Sequence, residues 1–204
     1  GKRGAPSRYL ILNGDTPLLQ EKTVRELLRV HEAERATVTI LTAVLADASG
    51  YGRVVRANSA ERGVSRIVED RDANAEEQAI REINVGTYVV DGEFLFSALE
   101  KLDPSNAQGE YYLTDIIHLA EHSGRRVAAV VLDNPGEGLG VNTRRQLAEA
   151  EQVVRQQIRD SWLDAGVTMI DPTSVWIDAT VTIGKDTILY PNVTLEGSTV
   201  IGED

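Results

Sequence analysis

The sequence predicts an α/β domain on a mostly parallel sheet, followed by a connecting helix and the start of a parallel β-helix. Two observations support this prediction. Short apolar runs alternate with amphipathic stretches through the first part of the chain, and an aliphatic residue recurs at every sixth position after Gly166. We therefore expect an α/β domain over residues 1–142, a connecting helix over 143–166 and a β-helix segment over 167–204.

The opening of the chain predicts a strand, a helix and a second strand. Residues 9–12 form a continuous apolar run closed by turn residues, which is typical of a strand buried on both faces. Residues 21–35 carry one apolar stripe at helical spacing, on which His31 is expected to be a packed core residue. Residues 36–45 are rich in Val, Ile and Thr and predict the next strand. This order favours a right-handed crossover in a mostly parallel sheet.

The rest of the α/β domain and the connecting segment predict further elements. Thr114 and Asn142 each precede a predicted helix, where a short polar side chain is expected to cap the free N–H groups. Residues 1–8 are polar and irregular and predict a tail. Strands are predicted over residues 53–56, 65–69, 83–90 and 126–132, and helices over 93–102, 114–124 and 143–164.

After Gly166 the apolar pattern has a period of six residues. Such a period belongs to neither a helix nor a hairpin and is typical of a triangular parallel β-helix, each face of which contributes one inward aliphatic side chain. Stacked repeats need about three units for stability, so we expect the chain to be truncated and its last residues to be loose or held by a neighbour. The aliphatic positions are Ile177, Ile183, Leu189, Leu195 and Ile201.

Composition excludes several functional classes. The net charge of −11 repels a phosphate backbone, so nucleic acid is not expected as a partner. A single nucleotide stays compatible, because a bound divalent metal inverts the local field. The chain has no cysteine, which excludes disulfides, zinc–thiolate sites and thiol nucleophiles. It has no apolar run of about 18 residues and no signal-peptide core, so we expect a soluble cytoplasmic protein without a membrane partner.

Several single residues are candidates for chemistry, each beside a simpler interpretation. Asp15 follows the first predicted strand, where a carboxylate can hold Mg²⁺ near a phosphate or can merely shape a turn. Gly52 either lets a ligand ring approach the backbone or marks a turn, and the turn is favoured. Glu69 ends a strand and either binds sugar hydroxyls or is solvated. Asn84 lies inside a strand, so its amide is either satisfied internally or directed at a ligand.

The histidines give little indication of function. His118 and His122 share one face of a predicted helix at a spacing of four residues, which could bind a metal. The segment lacks the glutamate of a metalloprotease motif, so a solvated helix face is favoured.

Taken together, these segments resemble the family of bifunctional N-acetylglucosamine-1-phosphate uridyltransferases and glucosamine-1-phosphate acetyltransferases. The order, the spacing and the Gln-Gly-Glu-Tyr-Tyr segment make the resemblance specific, and it covers nearly everything from Tyr9 onward. It implies a nucleotide-diphospho-sugar transferase fold, which is Rossmann-like, and a left-handed β-helix. The matching stretches cover residues 13–18, 50–53, 67–69, 81–86, 106–115 and 140–144, followed by the hexapeptide segment.

The resemblance also implies a reaction and a metal. Asp15 and Asn142 would hold the catalytic Mg²⁺. The sugar-1-phosphate oxygen of N-acetylglucosamine-1-phosphate would attack the α-phosphorus of UTP in line, giving UDP-N-acetylglucosamine and pyrophosphate. The full-length family is a homotrimer and uses acetyl-coenzyme A at a second site, which this sequence does not contain.

The remaining site residues implied by the resemblance bind the sugar or the nucleotide. The N-acetylglucosamine contacts would be Gly52, Glu69 and Asn84, with Tyr112 and Thr114 lining the same pocket. Asn13 and Gly14 would border the nucleotide.

The sequence departs from the family at its beginning and end. The glycine-rich loop that cradles the triphosphate and the residues that recognise uracil are absent, as is most of the β-helix with its catalytic histidine. We therefore expect this chain alone to be nearly inactive. Two alternatives stay open: another sugar-1-phosphate nucleotidyltransferase, such as one that uses glucose-1-phosphate, and a non-catalytic sugar-nucleotide-binding or assembly fragment.

Overall fold

A computed structural model describes residues 7–57 and 63–203. The chain divides into two compact units, Gly1–Gly140 and Val141–Asp204. Most of the predicted N-terminal tail, residues 1–6, lies outside the described residues.

The first unit contains six strands and four α-helices in its described residues, and the predicted helices begin and end within a few residues of their predicted bounds. The short helix at residues 75–78 was not predicted. The strands are β1 (Arg8–Ile11), β2 (Val38–Val44), β3 (Arg53–Arg56), β4 (Val64–Val68), β5 (Glu82–Asp91) and β6 (Val127–Val131). The helices are α1 (Glu21–Ala33), α2 (Ala75–Gln78), α3 (Gly92–Leu99) and α4 (Asp115–His122).

These strands form one mixed sheet, and the prediction of a mostly parallel sheet is wrong. The strand order is β4-β3-β5-β2-β6, with β1 also paired to β5. Strand β5 runs antiparallel to β1, β2 and β3, whereas β2 and β6 are parallel. Strands β1 and β2 therefore run in the same direction but are not hydrogen-bonded neighbours, because β5 lies between them. An apolar run fixes neither the direction nor the neighbour of a strand, which explains the error.

The sheet carries a hydrophobic core on each face. One cluster contains Tyr88, Phe94 and Ile116 and packs α3 and α4 against the sheet, whereas the other contains Leu27 and Leu41 and packs α1. Burial at about 25 cal/mol per Å² of apolar surface is the main stabilisation of such layers. The first cluster positions β4 and α4 side by side, and these two elements carry the site described below.

Strand β1 is less buried than its sequence predicts. Tyr9 and Ile11 pack against the first cluster, but Leu10 and Leu12 are exposed. The prediction of a strand buried on both faces is therefore wrong for the described residues, because only one side of β1 contacts the core.

His31 and Asn142 were each predicted to have a local structural role. His31 is buried, and its Nδ1 lies 2.9 Å from the hydroxyl of Thr39, so its prediction as a core residue is confirmed. The prediction that Asn142 caps the long helix is wrong. Thr143 is the N-cap, and it forms a capping box with Gln146 in which each side chain bonds the other residue's backbone N–H.

The second unit begins with the long helix α5 (Arg144–Asp164), followed by six two-residue strands. Each of the first three strands pairs in parallel with the strand three places later: β7 with β10, β8 with β11 and β9 with β12. The strands are β7 (Thr168–Met169), β8 (Trp176–Ile177), β9 (Thr182–Ile183), β10 (Ile188–Leu189), β11 (Thr194–Leu195) and β12 (Val200–Ile201).

The six-residue period corresponds to the inward side of this second unit. Ile177, Ile183 and Leu189 are buried in one cluster, with Leu195 and Ile201 partly buried against it. Ile158 and Trp162 of α5 pack against the same cluster, whereas Leu147 near the start of the helix is exposed.

Candidate functional site

A polar cluster forms where β3, β4 and β5 meet on the first unit. Gly52, just before β3, accepts a hydrogen bond of 2.8 Å at its carbonyl oxygen from the backbone N–H of Asn84. A Cβ added at Gly52 would lie 2.9 Å from Ile67 Cγ2 and 3.3 Å from Glu69 Oε2. The structure thus brings Gly52, Glu69 and Asn84 together, and the glycine leaves room for the Glu69 carboxylate.

Glu69 is held from the other side by Thr114. The Thr114 hydroxyl donates a hydrogen bond of 3.0 Å to Glu69 Oε1, and Oε2 has no hydrogen-bond partner among the residues that the structure describes. Burial raises the pKa of the Glu69 carboxyl; the Thr114 hydrogen bond opposes this shift and the nearby Asp115, Asp72 and Asp70 add to it. Thr114 precedes α4 as predicted, but its side chain makes no capping hydrogen bond, because its hydroxyl is bonded to Glu69 instead.

The Asn84 side chain is oriented by two hydrogen bonds. Its Nδ2 donates to the hydroxyl oxygen of Tyr88 at 2.7 Å, and its Oδ1 accepts from the backbone N–H of Gly86 at 3.1 Å. Sequence reasoning missed Tyr88, which is buried next to this amide. The signal that could have found it is the glycine between Asn84 and Tyr88, because a glycine inside a strand often marks a bulge that redirects side chains.

Gly86 also determines where Asn13 lies. It has a φ of +84°, and a Cβ at this position would overlap the Asn13 side chain. The Asn13 amide nitrogen lies 3.4 Å from the carbonyl oxygen of Val85. Asn13 thus packs against the bulge of β5, on the backbone segment that orients Asn84, and the structure brings this predicted residue next to the sugar-binding candidates.

A loop over residues 103–112 lies beside Glu69 on the α4 side. Asp72 accepts a hydrogen bond of 2.9 Å from the backbone N–H of Ala107, and Gln108 donates one of 2.8 Å to the hydroxyl of Tyr112. Burial raises the pKa of the Tyr112 hydroxyl, and the negative charges of Asp72 and Glu69 are among the further causes. Glu69, Asp72 and Tyr112 all line one cavity of about 410 Å³. Sequence reasoning also missed Asp72, for which no motif gave a signal.

The two candidate metal ligands, Asp15 and Asn142, belong to different units of the chain. The Asp15 carboxylate is exposed and has no hydrogen bond or ion pair with any of the residues that the structure describes. At Asn142 the backbone N–H donates to Gln146, and within the same described residues the side-chain amide has no partner. Both side chains are thus available oxygen donors, which are the ligands that Mg²⁺ takes. Their pairing around one ion stays a prediction.

Gly14 precedes Asp15 on an exposed turn. A Cβ added there would meet nothing within 4 Å, so Gly14 leaves open space beside Asp15 rather than fitting a packed neighbour. Its role as a border of the nucleotide stays a prediction.

The two histidines of α4 are the remaining polar candidates, and His118 lines the same cavity as Glu69. His118 and His122 are exposed, with ring centroids 4.2 Å apart, which confirms the prediction of a solvated helix face.

Across residues 7–57 and 63–203 there is no group of three or more His, Asp or Glu residues that could hold a metal. In the same described residues, no helix is both long and apolar enough to cross a membrane.

Comparison with known sequences decides which family contains this arrangement. The sequence model described as nucleotidyl transferase matches residues 2–170, which is most of the chain. The chain belongs to the nucleotidyl transferase family.

This nucleotidyl transferase is similar to curated bacterial proteins of greater length. It is 46% identical over 195 residues to the bifunctional protein GlmU of Shouchella clausii, with 96% of this chain and 42% of that protein covered. It is 47% identical over 203 residues to GlmU of Halalkalibacterium halodurans, with 100% and 44% covered. It is 50% identical over 195 residues to GlmU of Levilactobacillus brevis, with 96% and 42% covered. The chain thus spans less than half the length of these relatives.

A solved structure supports the fold of this nucleotidyl transferase. The CMP:2-keto-3-deoxy-manno-octonic acid synthetase in complex with CTP matches with a TM-score of 0.52 at 16% identity, over 75% of this chain and 64% of that chain. The likeness concerns the fold alone. Together with the family match, it identifies the first unit as the Rossmann-like α/β fold of nucleotide-diphospho-sugar transferases, with a mixed sheet.

Proposed function

We propose that the first unit binds the N-acetylglucosamine part of UDP-N-acetylglucosamine, as one side of a magnesium-dependent uridyltransferase. The observation that carries the proposal is the cluster of Gly52, Glu69 and Asn84. These three residues come from different segments of the chain, and their backbone and side-chain contacts place them side by side.

The polar groups of this cluster match an acetamido sugar. Glu69 uses Oε1 to accept from Thr114 and keeps Oε2 for a sugar hydroxyl. The Asn84 amide keeps one N–H and one carbonyl lone pair beyond its two internal bonds, and this pair complements the C=O and N–H of an acetamido group. A site built to hydrogen-bond a substrate group discriminates strongly against an analogue that lacks it.

Asp15 and Asn142 would hold the Mg²⁺ ion in this proposal. Mg²⁺ is usually held by one or two protein oxygen ligands together with water and substrate phosphates, so two available side chains suit it. When bound, the ion neutralises charge on the phosphates of UTP and N-acetylglucosamine-1-phosphate. The residues of the chain bind and orient the sugar, so that its 1-phosphate oxygen can reach the α-phosphorus of UTP in line and pyrophosphate can leave.

The second unit supports a proposal about the longer protein. Its parallel pairing of strands three places apart, with the aliphatic hexad positions inside, supports the start of a left-handed β-helix. The similar GlmU of Shouchella clausii is named as a bifunctional protein. We propose that the protein to which this chain corresponds also acetylates glucosamine-1-phosphate with acetyl-coenzyme A and assembles as a homotrimer through that helix.

Sugar-nucleotide binding is the experiment that tests the proposal on this chain. The glycine-rich phosphate loop that the resemblance implies is absent from the 204 residues, so we expect binding with little turnover. Calorimetry of the chain with UDP-N-acetylglucosamine and UDP-glucose, each with and without Mg²⁺, should show magnesium-dependent binding that favours the acetamido sugar.

Variants locate that binding in the cluster. Glu69→Ala should abolish the binding, whereas Glu149→Ala, which changes an exposed glutamate of α5, should leave it unchanged. Tighter binding of UDP-glucose would support the alternative of a glucose-1-phosphate nucleotidyltransferase. Absence of binding to either sugar nucleotide would refute the proposal.

A further inference from the structure

Tyr88 is a buried tyrosine whose hydroxyl faces a candidate sugar-binding residue. Its ring lies in the core cluster on the α3 and α4 face of the sheet, and the residue is only 3% exposed. Its hydroxyl oxygen accepts the hydrogen bond from Asn84 Nδ2 at 2.7 Å. Asn84 and Tyr88 are four positions apart in β5, a separation of about 13 Å between Cα atoms in a regular strand.

The bulge in β5 accounts for this contact. The pairing register between β2 and β5 shifts between the pairs Ile40–Tyr88 and Thr42–Asn84, and Gly86 between them has a φ of +84°. A bulge bends its strand and redirects the side chains on either side of it. The strand is therefore shaped so that the tyrosine hydroxyl reaches back to the asparagine amide.

The Gly86 N–H, which can only donate, selects one of the two orientations of the Asn84 amide, and the bond to Tyr88 anchors the amide in that orientation. The oxygen and nitrogen of an amide have nearly the same size, so only hydrogen bonding distinguishes them. Gly86 N–H requires the oxygen on its side, and the Tyr88 oxygen accepts the nitrogen on the other side. The free N–H and the free lone pair of Asn84 are thereby presented in a fixed order.

The Tyr88 hydroxyl adds a second polar atom to the same place. Its own proton has no acceptor among residues 7–57 and 63–203. Burial raises the pKa of this hydroxyl; the Asn84 hydrogen bond lowers it and the negative charge of Glu69 raises it further. The hydroxyl therefore stays protonated at neutral pH.

We propose that Tyr88 is a positioning residue for sugar specificity, which holds the Asn84 amide in the orientation that pairs with an acetamido group. The proposal rests on the proposed function, because it concerns the same sugar site. A tyrosine that only fills the core would need its ring but not its hydroxyl, so the two roles are separable.

The test compares Tyr88→Phe with Tyr51→Phe. Phenylalanine keeps the buried ring and removes only the acceptor of Asn84, whereas Tyr51 is a half-buried tyrosine packed against the other core cluster. The measured quantity is the ratio of the dissociation constant of UDP-glucose to that of UDP-N-acetylglucosamine. We expect Tyr88→Phe to lower this ratio by about fivefold, the effect of one hydrogen bond, and Tyr51→Phe to leave it unchanged.

A double variant separates positioning from general loosening. Asn84→Ala should lower the same ratio, and adding Tyr88→Phe to it should cause no further fall, because Tyr88 then has no amide to orient. An additional fall of similar size in the double variant, or an unchanged ratio in Tyr88→Phe, would overturn the proposal.

A ligand-free measurement distinguishes this inference from the proposed function. Nitrogen-edited NMR of the unliganded chain should show one side-chain amide proton of Asn84 protected from exchange in the wild type and exposed in Tyr88→Phe. If the wild-type chain binds neither sugar nucleotide, the proposed function fails, and the specificity role of Tyr88 fails with it. If it prefers the acetamido sugar and Tyr88→Phe keeps that preference, only the present inference fails.

Discussion

The hydroxyl of Thr114 donates a hydrogen bond of 3.0 Å to the carboxylate of Glu69, across a gap of 45 residues in the sequence. This contact joins the start of α4 to the end of β4. It satisfies one oxygen of a carboxylate whose charged form burial disfavours, and the other oxygen has no hydrogen-bond partner within the part of the chain that the structure describes. The orientation of the Glu69 side chain therefore depends on a residue that the helix pattern alone predicted as a cap.

Replacing Thr114 by valine should weaken sugar-nucleotide binding. Valine keeps the shape of the buried side chain but cannot donate to Glu69, and a hydrogen bond to a charged group contributes about 1.5–3 kcal/mol. We expect the dissociation constant for UDP-N-acetylglucosamine to rise by about tenfold or more in calorimetry. Thr114→Ser keeps the hydroxyl and should bind within about threefold of the wild type. Equal binding by Thr114→Val and Thr114→Ser would contradict the role of this bond.

Glu69 should make the stability of the first unit depend on pH. Burial raises its pKa in the folded state, so the folded chain binds this proton more tightly than the unfolded chain. Protonated Glu69 therefore adds to the free energy of unfolding. This added stability is fully present below the unfolded pKa of about 4.3, and it is lost as the pH rises through the raised folded pKa.

Glu69→Gln removes this titration and isolates it. The free energy of unfolding of the variant relative to wild type should therefore increase from pH 4 to pH 7 in urea denaturation, with Glu149→Gln as the control on an exposed residue. A difference that stays constant or decreases over this pH range would show that the carboxylate is not penalised by burial.

The elements of the fold whose apolar residues recur at a fixed spacing could be predicted from the sequence. Spacing alone predicted α1, the long helix α5 and the inward aliphatic residues of the second unit, because burial acts on side chains at a fixed period. It failed at strand pairing. The insertion of β5 between β1 and β2 depends on contacts between segments distant in sequence, which a local pattern does not encode.

The candidate site was predictable where a residue type is unusual for its position. A polar amide at Asn84 inside an apolar strand and a carboxylate at Glu69 at a strand end both stand out locally. Tyr88 does not, because a tyrosine in a buried strand is ordinary, and its role follows only from the bulge at Gly86. Asp72 was not predicted either, because its partner at Ala107 is a backbone N–H, which any residue there would supply.

Adding a methyl group at Gly52 should disturb Glu69. The Cβ of alanine would lie 2.9 Å from Ile67 Cγ2, which is closer than real Cβ contacts allow, and 3.3 Å from Glu69 Oε2. Overpacking of this kind costs about 1–3 kcal/mol, so Gly52→Ala should lower the denaturation midpoint and weaken sugar binding together. Gly202→Ala, whose Cβ would meet nothing within 4 Å, is the control and should change neither. Wild-type binding by Gly52→Ala would show that the room beside Glu69 is not needed.

The magnesium proposal predicts that the effects of replacing Asp15 and Asn142 are not independent, because both side chains would bind the same ion. Asp15→Ala and Asn142→Ala should each reduce the magnesium-dependent part of UDP-N-acetylglucosamine binding, and the double variant should be little worse than either, because two ligands of one ion are not additive. Asp133→Ala, which removes another exposed carboxylate, should have no such effect. Additive losses, or losses that persist in excess chelator, would exclude a shared ion.

The second unit offers a matched pair of isoleucines that separates its inward and outward positions. Ile183 is 5% exposed and belongs to the aliphatic cluster, whereas Ile188, in the next strand along the chain, is 54% exposed. Truncation of a buried isoleucine to alanine typically costs about 2–5 kcal/mol, because contacts are lost and a cavity remains. Ile183→Ala should therefore lower the urea midpoint of the transition that reports on this unit, for example through Trp162 fluorescence. Ile188→Ala should shift it by less than about 0.5 kcal/mol, as expected for a surface position. Equal shifts in the two variants would mean that the six-residue period does not mark the inside of the coil, and the proposal of a β-helix would then lose its support.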